Sequence, residues 1–267
     1  MSTGTPTPAI RALLAISRHT PLGRGQLRRE VTKVIERWHQ GPIDTTFRGV
    51  PIRLNLDNTT ERKALFGNYD TRELDFIAAA VKTSGSVFID VGANSGLYTV
   101  YVGSQIGPQS RIIAIEPNGA MCERIKHNLD LTAAQRKARN VASSVVQCAV
   151  GAQAGDAFLD LRDGLGRAHI SQSQSTRSLA VQIRPLIDIL REQKLDKIDA
   201  LKIDIEGYED QALEPFFGTA DRSLFPKAIV IEHSHRAKWD TDVIAMCETL
   251  GYRQRGRTRG NLLLALR

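Results

Sequence analysis

The feature that most limits the fold is an alternation: from Thr71 onward, apolar runs of strand length are separated by segments with helical hydrophobic spacing. It predicts a helix over Arg72–Lys82, a strand over Ser86–Asp90, a helix over Leu97–Ile106, a strand over Arg111–Ile115 and a helix over Ala120–Leu129. A strand at Val145–Ala149 follows, then a hairpin of Ala157–Leu161 with Leu179–Ile183, a helix at Leu186–Gln193 and a strand at Ala200–Ile205. The series ends with a helix at Glu209–Phe217, a strand at Ala228–Glu232, a helix at Asp240–Leu250 and paired strands at Gly251–Arg255 and Asn261–Leu266. Strands alternating with helices imply an α/β chain with a doubly wound, mostly parallel sheet covered on both faces. The terminal pair, turning at Arg257–Gly260, adds an antiparallel hairpin that nicotinamide-binding domains generally lack.

Upstream of that series the pattern is looser. The 267 residues divide into a basic arm with an amphipathic helix (1–45), a hairpin and connector (46–70) and the α/β domain (71–267). The opening run MSTGTPTP is polar and Pro/Thr-rich and is expected to be disordered. Leu27, Val31, Val34, Ile35 and Trp38 recur at helical spacing, so a helix is expected from Leu22 to Trp38, ended by Gly41-Pro42. Ile43–Leu56 alternates around Gly49 and reads as a β-hairpin.

The net charge of +7 is uneven: residues 1–40 carry seven Arg and Lys against Glu30 and Glu36, and residues 251–267 carry five arginines and no acid. Such ends could meet a nucleic acid, a phosphorylated lipid surface or an acidic glycan, although solvated surface is the simpler reading because no aromatics interleave the arginines. The longest wholly apolar run, Phe76–Val81, is far short of the roughly 20 residues that span a membrane. Ala12–Ile16 is likewise too short for the core of an export signal. Cys122, Cys148 and Cys247 are odd in number and form no CxxC pair, so neither a zinc site nor a disulfide framework is expected, and the setting is read as cytoplasmic.

The sharpest chemical signal is Val87-Phe88-Ile89-Asp90-Val91-Gly92-Ala93-Asn94-Ser95-Gly96-Leu97-Tyr98-Thr99, an apolar strand ending in an acid, a glycine-rich turn and a helix start. Gly92 and Gly96 let backbone approach a ligand, and Asn94 tolerates a left-handed turn. Turns of this kind fall at the carboxyl ends of strands, where open α/β sheets bind ligands. A dinucleotide fingerprint reads G-x-G-x-x-G, whereas this chain has G-x-x-x-G. The missing middle glycine and the adjacent Asp90 disfavour a pyrophosphate and suit a ligand with an ammonium group. Glu116 ends the next strand and is placed to accept hydrogen bonds from a ribose diol. S-adenosylmethionine offers both groups.

A second acidic cluster lies in Ile198-Asp199-Ala200-Leu201-Lys202-Ile203-Asp204-Ile205-Glu206-Gly207-Tyr208-Glu209. Strand alternation puts Lys202 and Asp204 on one face, with Asp204 emerging into the crevice. A lysine inside an apolar strand needs a partner to offset its desolvation. Glu209 and Asp210 are read as complements to the following helix dipole. The next strand ends in Glu232-His233-Ser234-His235. Asp204 with Glu232 and His233 could hold a divalent metal or remove a proton from an acceptor hydroxyl, with His233 the preferred base ahead of His235. The candidate catalytic residues are therefore Asp204, His233, Lys202 and Glu232, and no metal is predicted.

These segments together resemble the FkbM-type family of S-adenosylmethionine-dependent methyltransferases, from about Asn68 to Gly251. The resemblance rests on FIDVGANSGLYT at 88–99, AIEPN at 114–118, CAVG at 148–151, IDALKIDIEGYE at 198–209 and IVIEH at 229–233. It implies a seven-stranded, Rossmann-like class I methyltransferase fold. It also implies cofactor contacts from Asp90, Gly92, Asn94, Gly96 and Glu116, with backbone contacts to adenine near Ala149. The acceptor it implies is a hydroxyl, often on a sugar or natural product. One departure is Ile187, which stands where the family commonly has an acid. Competing expectations are ribose methylation of RNA through the basic ends, a non-catalytic S-adenosylmethionine-binding scaffold, and a nicotinamide dehydrogenase. No Asn/Asp-Pro-Pro-aromatic motif occurs, which argues against methylation of base amino groups. The hairpin at 43–56 and the segment 162–178 are expected to wall the acceptor pocket.

Overall fold

The computed structural model describes residues 4–67, 69–161, 169–171 and 175–267. It opens with helices α1 (Pro8–His19) and α2 (Gly25–Trp38), joined through a single 3-10 turn at Pro21–Gly23. The expected disorder at the start does not extend to residues 4–8. Asp44 N donates to Gly4 O at 2.6 Å, and Thr7 Oγ1 accepts from Ile10 N at 3.4 Å to cap α1, with proline in its first turn. A hydroxyl at the N-cap followed by proline satisfies and presets a helix start. The hairpin β1 (Ile43–Phe47) and β2 (Val50–Leu54) follows, then α3 (Thr59–Leu65) and α4 (Thr71–Ala80).

The α/β series runs β3 (Val87–Val91), α5 (Leu97–Gln105), β4 (Arg111–Ile115), α6 (Gly119–Leu131), α7 (Ala133–Ala138) and β5 (Ala142–Val146). A smaller sheet intervenes, made of β6 (Ala149–Val150), β7 (Gly155–Asp160), β8 (His169–Ser171) and β9 (Ser178–Arg184) in the order β6-β9-β7-β8. The main series resumes with α8 (Leu186–Glu192), β10 (Ala200–Ile203), α9 (Glu209–Thr219), β11 (Ala228–Glu232), α10 (Val243–Thr249), β12 (Tyr252–Arg257) and β13 (Asn261–Leu266). The main sheet has seven strands in the order β12-β13-β11-β10-β3-β4-β5. Five are parallel, and β13 runs antiparallel to both β11 and β12. This is the doubly wound sheet with a C-terminal antiparallel hairpin that the alternation predicted. The run Val145–Ala149, expected as one strand, is divided between the two sheets.

Side-chain parity sorts the core. Phe88, Ile112, Ala200 and Val230 pack on one face with α4 and α5, while Ile89, Ile113, Leu201 and Ile229 pack on the other with α8, α9 and α10. Ile10, Leu14, Val31 and Ile35 of α1 and α2 are buried in the first of these clusters, so the N-terminal helices share the domain's core. Ile187 is buried in the second cluster. Among the described residues no helix is long and apolar enough to cross a membrane.

Candidate functional site

Strand order reverses direction between β3 and β10, and at such a switch point the loops leaving the carboxyl ends part to open a crevice. Here it is a cleft of about 1010 Å³, floored by the ends of β3, β4, β10 and β11. Gly92, Asn94, Glu116 and Ala149 border it, as do Lys202, Asp204 and Glu232. Asp90, Gly96 and His233 do not.

The turn after β3 is held by backbone packing. Gly92 has φ +71°, and a Cβ there would lie 2.0 Å from the carbonyl oxygen of Asp204. Gly92→Ala is therefore expected to lower stability by more than the about 1–3 kcal/mol of strain that such a backbone imposes on an L-residue, because β10 must also shift. A urea melt checks this. Asn94 is also left-handed, at φ +51°. Its N–H donates to Glu116 Oε2 at 2.8 Å, and its Oδ1 accepts from Asn58 Nδ2 at 2.7 Å. Asn58 is the N-cap of α3, so that short helix is tied directly to the turn. Glu116 Oε1 accepts from Asn118 N at 2.9 Å. Burial outweighs these donors and pushes the Glu116 carboxyl up to about 7.

Asp90 lies beneath the turn. It is fully buried; Oδ2 accepts from Thr99 N at 3.1 Å and from Thr99 Oγ1 at 2.6 Å, and Oδ1 lies 3.6 Å from Lys202 Nζ. The expected direct contact of Asp90 with a ligand gives way to a supporting role, because alternation turns its side chain to the α5 layer. Gly96 sits behind the turn too, where its bare Cα admits Ile125 of α6. Lys202 shares the face of Asp90 and donates to Gly92 O at 2.6 Å and Val91 O at 3.3 Å. Burial alone would lower its pKa, yet Asp204, Asp90, Asp70 and Glu116 outweigh that and raise it. An ammonium committed to two carbonyls is placed to anchor the turn, which is a positioning arrangement.

The acceptor side is built around Glu232, where burial and the charge of Asp204 push the carboxyl up to about 7. His235 Nδ1 lies 3.3 Å from Glu232 Oε2 and 3.4 Å from Glu206 Oε2. These three side chains are spaced closely enough for a cation, and so is the set Asp204, Glu209 and Glu232. In the second set Glu209 already accepts from Ile205 N, Gly207 N and Trp239 Nε1, bracing the loop after β10. His233 points elsewhere. Val230 pairs in register with Lys202, so Glu232 shares the cleft face and His233 falls on the opposite one, its Nε2 buried without a hydrogen-bond partner. His235, the second choice, returns to the cleft because a turn from His233 O to Arg236 N interrupts the alternation.

The acceptor walls also differ from expectation. The hairpin 43–56 does not border the cleft. Its place is taken by Thr59, Thr60 and Lys63 of α3, by Tyr69–Glu73, and by the β12–β13 turn at Thr258–Asn261. Glu73, buried at 3% exposure, fastens that turn by accepting from Thr258 Oγ1 and Asn261 Nδ2. Residues 162–168 and 172–174 of the other expected wall lie outside the described residues.

Similar folds include a precorrin-6y C5,15-methyltransferase from Geobacter metallireducens GS-15, with a TM-score of 0.43, 16% identity and coverage of 74% of this chain and 89% of that one. A human methyltransferase 10 domain containing protein aligns with a TM-score of 0.47 and 11% identity over 90% of this chain and 94% of that one. In sequence, the chain is 26% identical over 162 residues to methyltransferase sdnD of Sordaria araneosa. That match spans 49% of this chain and 60% of the relative's length. The signature described as the methyltransferase FkbM domain matches residues 90–256, and the chain belongs to that family.

Proposed function

We propose that the protein is an S-adenosylmethionine-dependent O-methyltransferase acting on a hydroxyl of a sugar, glycan or natural-product-like small molecule. The observation that carries this reading is the composition of the turn side of the cleft. The carboxylate of Glu116, just past the end of β4, borders it, while Lys202, directly beneath the turn, is committed to the carbonyls of Val91 and Gly92. Asp90 also occupies the Thr99 amide of α5, which a phosphate at that helix start would otherwise use. The turn side of the cleft suits a cationic, diol-bearing nucleoside better than a pyrophosphate.

When bound, such a nucleoside supplies an electrophilic methyl group on sulfur. The chain's own contribution is to grip the diol with Glu116 and keep the turn rigid through Lys202. Glu232, paired with His235, takes the proton of the acceptor hydroxyl. Alignment of reactants is worth about 7–11 kcal/mol in favourable cases, and here the Glu73-fastened turn and α3 fix the walls that provide it. The three cysteines are buried and free, and burial pushes Cys122 up to about 12 and Cys148 up to about 11.

Titration calorimetry tests the cofactor. S-adenosylmethionine or S-adenosylhomocysteine is expected to bind and NAD is not, and Glu116→Gln should weaken nucleoside binding about tenfold or more, the scale of a hydrogen bond to a charged group. Binding of NAD in place of either nucleoside overturns the reading. Transfer of a labelled methyl to hydroxylated metabolites should survive EDTA; loss on chelation would hand the role of Glu232 and His235 to a metal.

A further inference from the structure

Placing Asp90 beneath the turn leaves the ammonium end of the nucleoside's amino-acid moiety without its expected partner. We infer that Asp70 is that partner, a role that rests on the nucleoside reading of the cleft. Asp70 borders the cleft in left-handed backbone at φ +35°, at the N-cap of α4. A carboxylate at this position ordinarily caps its own helix, yet Asp70 makes no such bond. It accepts instead from Tyr98 Oη at 3.0 Å. Tyr98 belongs to the first turn of α5, immediately after the Gly92–Gly96 loop, is 2% exposed, and has Lys202 Nζ 5.6 Å from its ring centroid. Tyr98 thereby ties the Asp70 carboxylate, within the cleft lining, to the helix that leaves the glycine turn, the side on which this reading puts the amino-acid moiety.

The other carboxylates are committed elsewhere. Asp90 is sealed by Thr99 and Lys202, and Glu116 serves the ribose side. Asp204 stands with Glu209 and Glu232 on the acceptor side, their oxygens within 4.8 Å of one another. Asp70 also feels Glu73 and Asp204 as like charges, which with burial raise its carboxyl to about 6 and which an incoming ammonium would relieve.

The test uses the full chain and two ligands that share adenosine: S-adenosylhomocysteine, and methylthioadenosine, which has no amino-acid moiety. Wild type should bind both. Asp70→Asn should weaken S-adenosylhomocysteine about tenfold or more, by loss of a charge-assisted contact, and leave methylthioadenosine within about twofold. Tyr98→Phe keeps the carboxylate but removes its anchor, and should show the same selectivity to a smaller degree; it carries the test if Asp70→Asn melts early. Equal weakening of both ligands, no weakening of either, or a selective loss in Asp204→Asn instead would overturn the assignment. Failure of wild type to bind either ligand would sink the nucleoside reading itself.

Discussion

Replacing Lys202 with methionine is expected to destabilise the fold by about 3–5 kcal/mol, the range for stripping one partner from a buried ion pair. Methionine fills much of the same volume, so the loss is electrostatic and not a cavity effect. Lys202 is 4% exposed and lies among Asp90, Asp204 and the carbonyls of Val91 and Gly92. Without it, Asp90 Oδ1, which already lacks a hydrogen bond, becomes a bare buried charge. Burial raises the Asp90 pKa and Lys202 opposes that rise, so in the variant the carboxyl holds its proton to higher pH. A raised folded-state pKa in an acid means stability that is present at low pH and lost as pH rises through it. The deficit of Lys202→Met should therefore be small near pH 4 and full at pH 8, as read from urea melts at both. The double change Lys202→Met with Asp90→Asn should recover part of the stability at pH 8. An equal deficit at both pH values, with no recovery in the double variant, would show that the lysine contributes by packing alone.

What could be read from sequence follows the range of the interactions involved. The sheet was legible because each strand carries its own apolar run and each helix its own period; Arg111–Ile115 and Ala228–Glu232 match residue for residue. Helix α1 was legible in principle, since Thr7-Pro8 is a helix start and Ile10 and Leu14 share a face, but its apolar residues were weighed as an export signal. Helix α3 was not. Its seven residues hold little period, and its buried Glu61 is paired with Arg124, 63 residues away. Asp70 and Glu73, at the start of α4, were not legible either, because their partners lie far along the chain. One bonds to Tyr98 and the other to the C-terminal turn, 185 residues on. Alternation within β11 shows that Glu232 and His233 cannot share a face, but only the pairing of Val230 with Lys202, which the structure supplies, assigns Glu232 to the cleft face and His233 to the opposite one.

Glu232→Gln is the change with the largest expected effect on rate. Removing a positioned proton acceptor typically slows a reaction about 10²- to 10⁴-fold, and glutamine keeps the volume and one acceptor oxygen but cannot take the proton. Burial first, then the charge of Asp204, puts the Glu232 carboxyl up to about 7. The wild-type rate should accordingly climb with pH until about 7 and level off above it, and in the variant that inflection should vanish with the rate. Stability moves the other way. A carboxyl whose folded pKa is raised favours the native state below its unfolded value near 4.3 and loses that contribution as pH rises towards 7. The variant carries no such penalty, so it should melt no earlier than wild type at pH 8 and relatively earlier at pH 5. Slower transfer together with undiminished stability at pH 8 separates a proton acceptor from a structural carboxylate, because a structural role would lose both at once. A variant that keeps its wild-type rate and pH inflection would remove Glu232 from the chemistry and leave Asp204, which borders the same floor, as the group to change next.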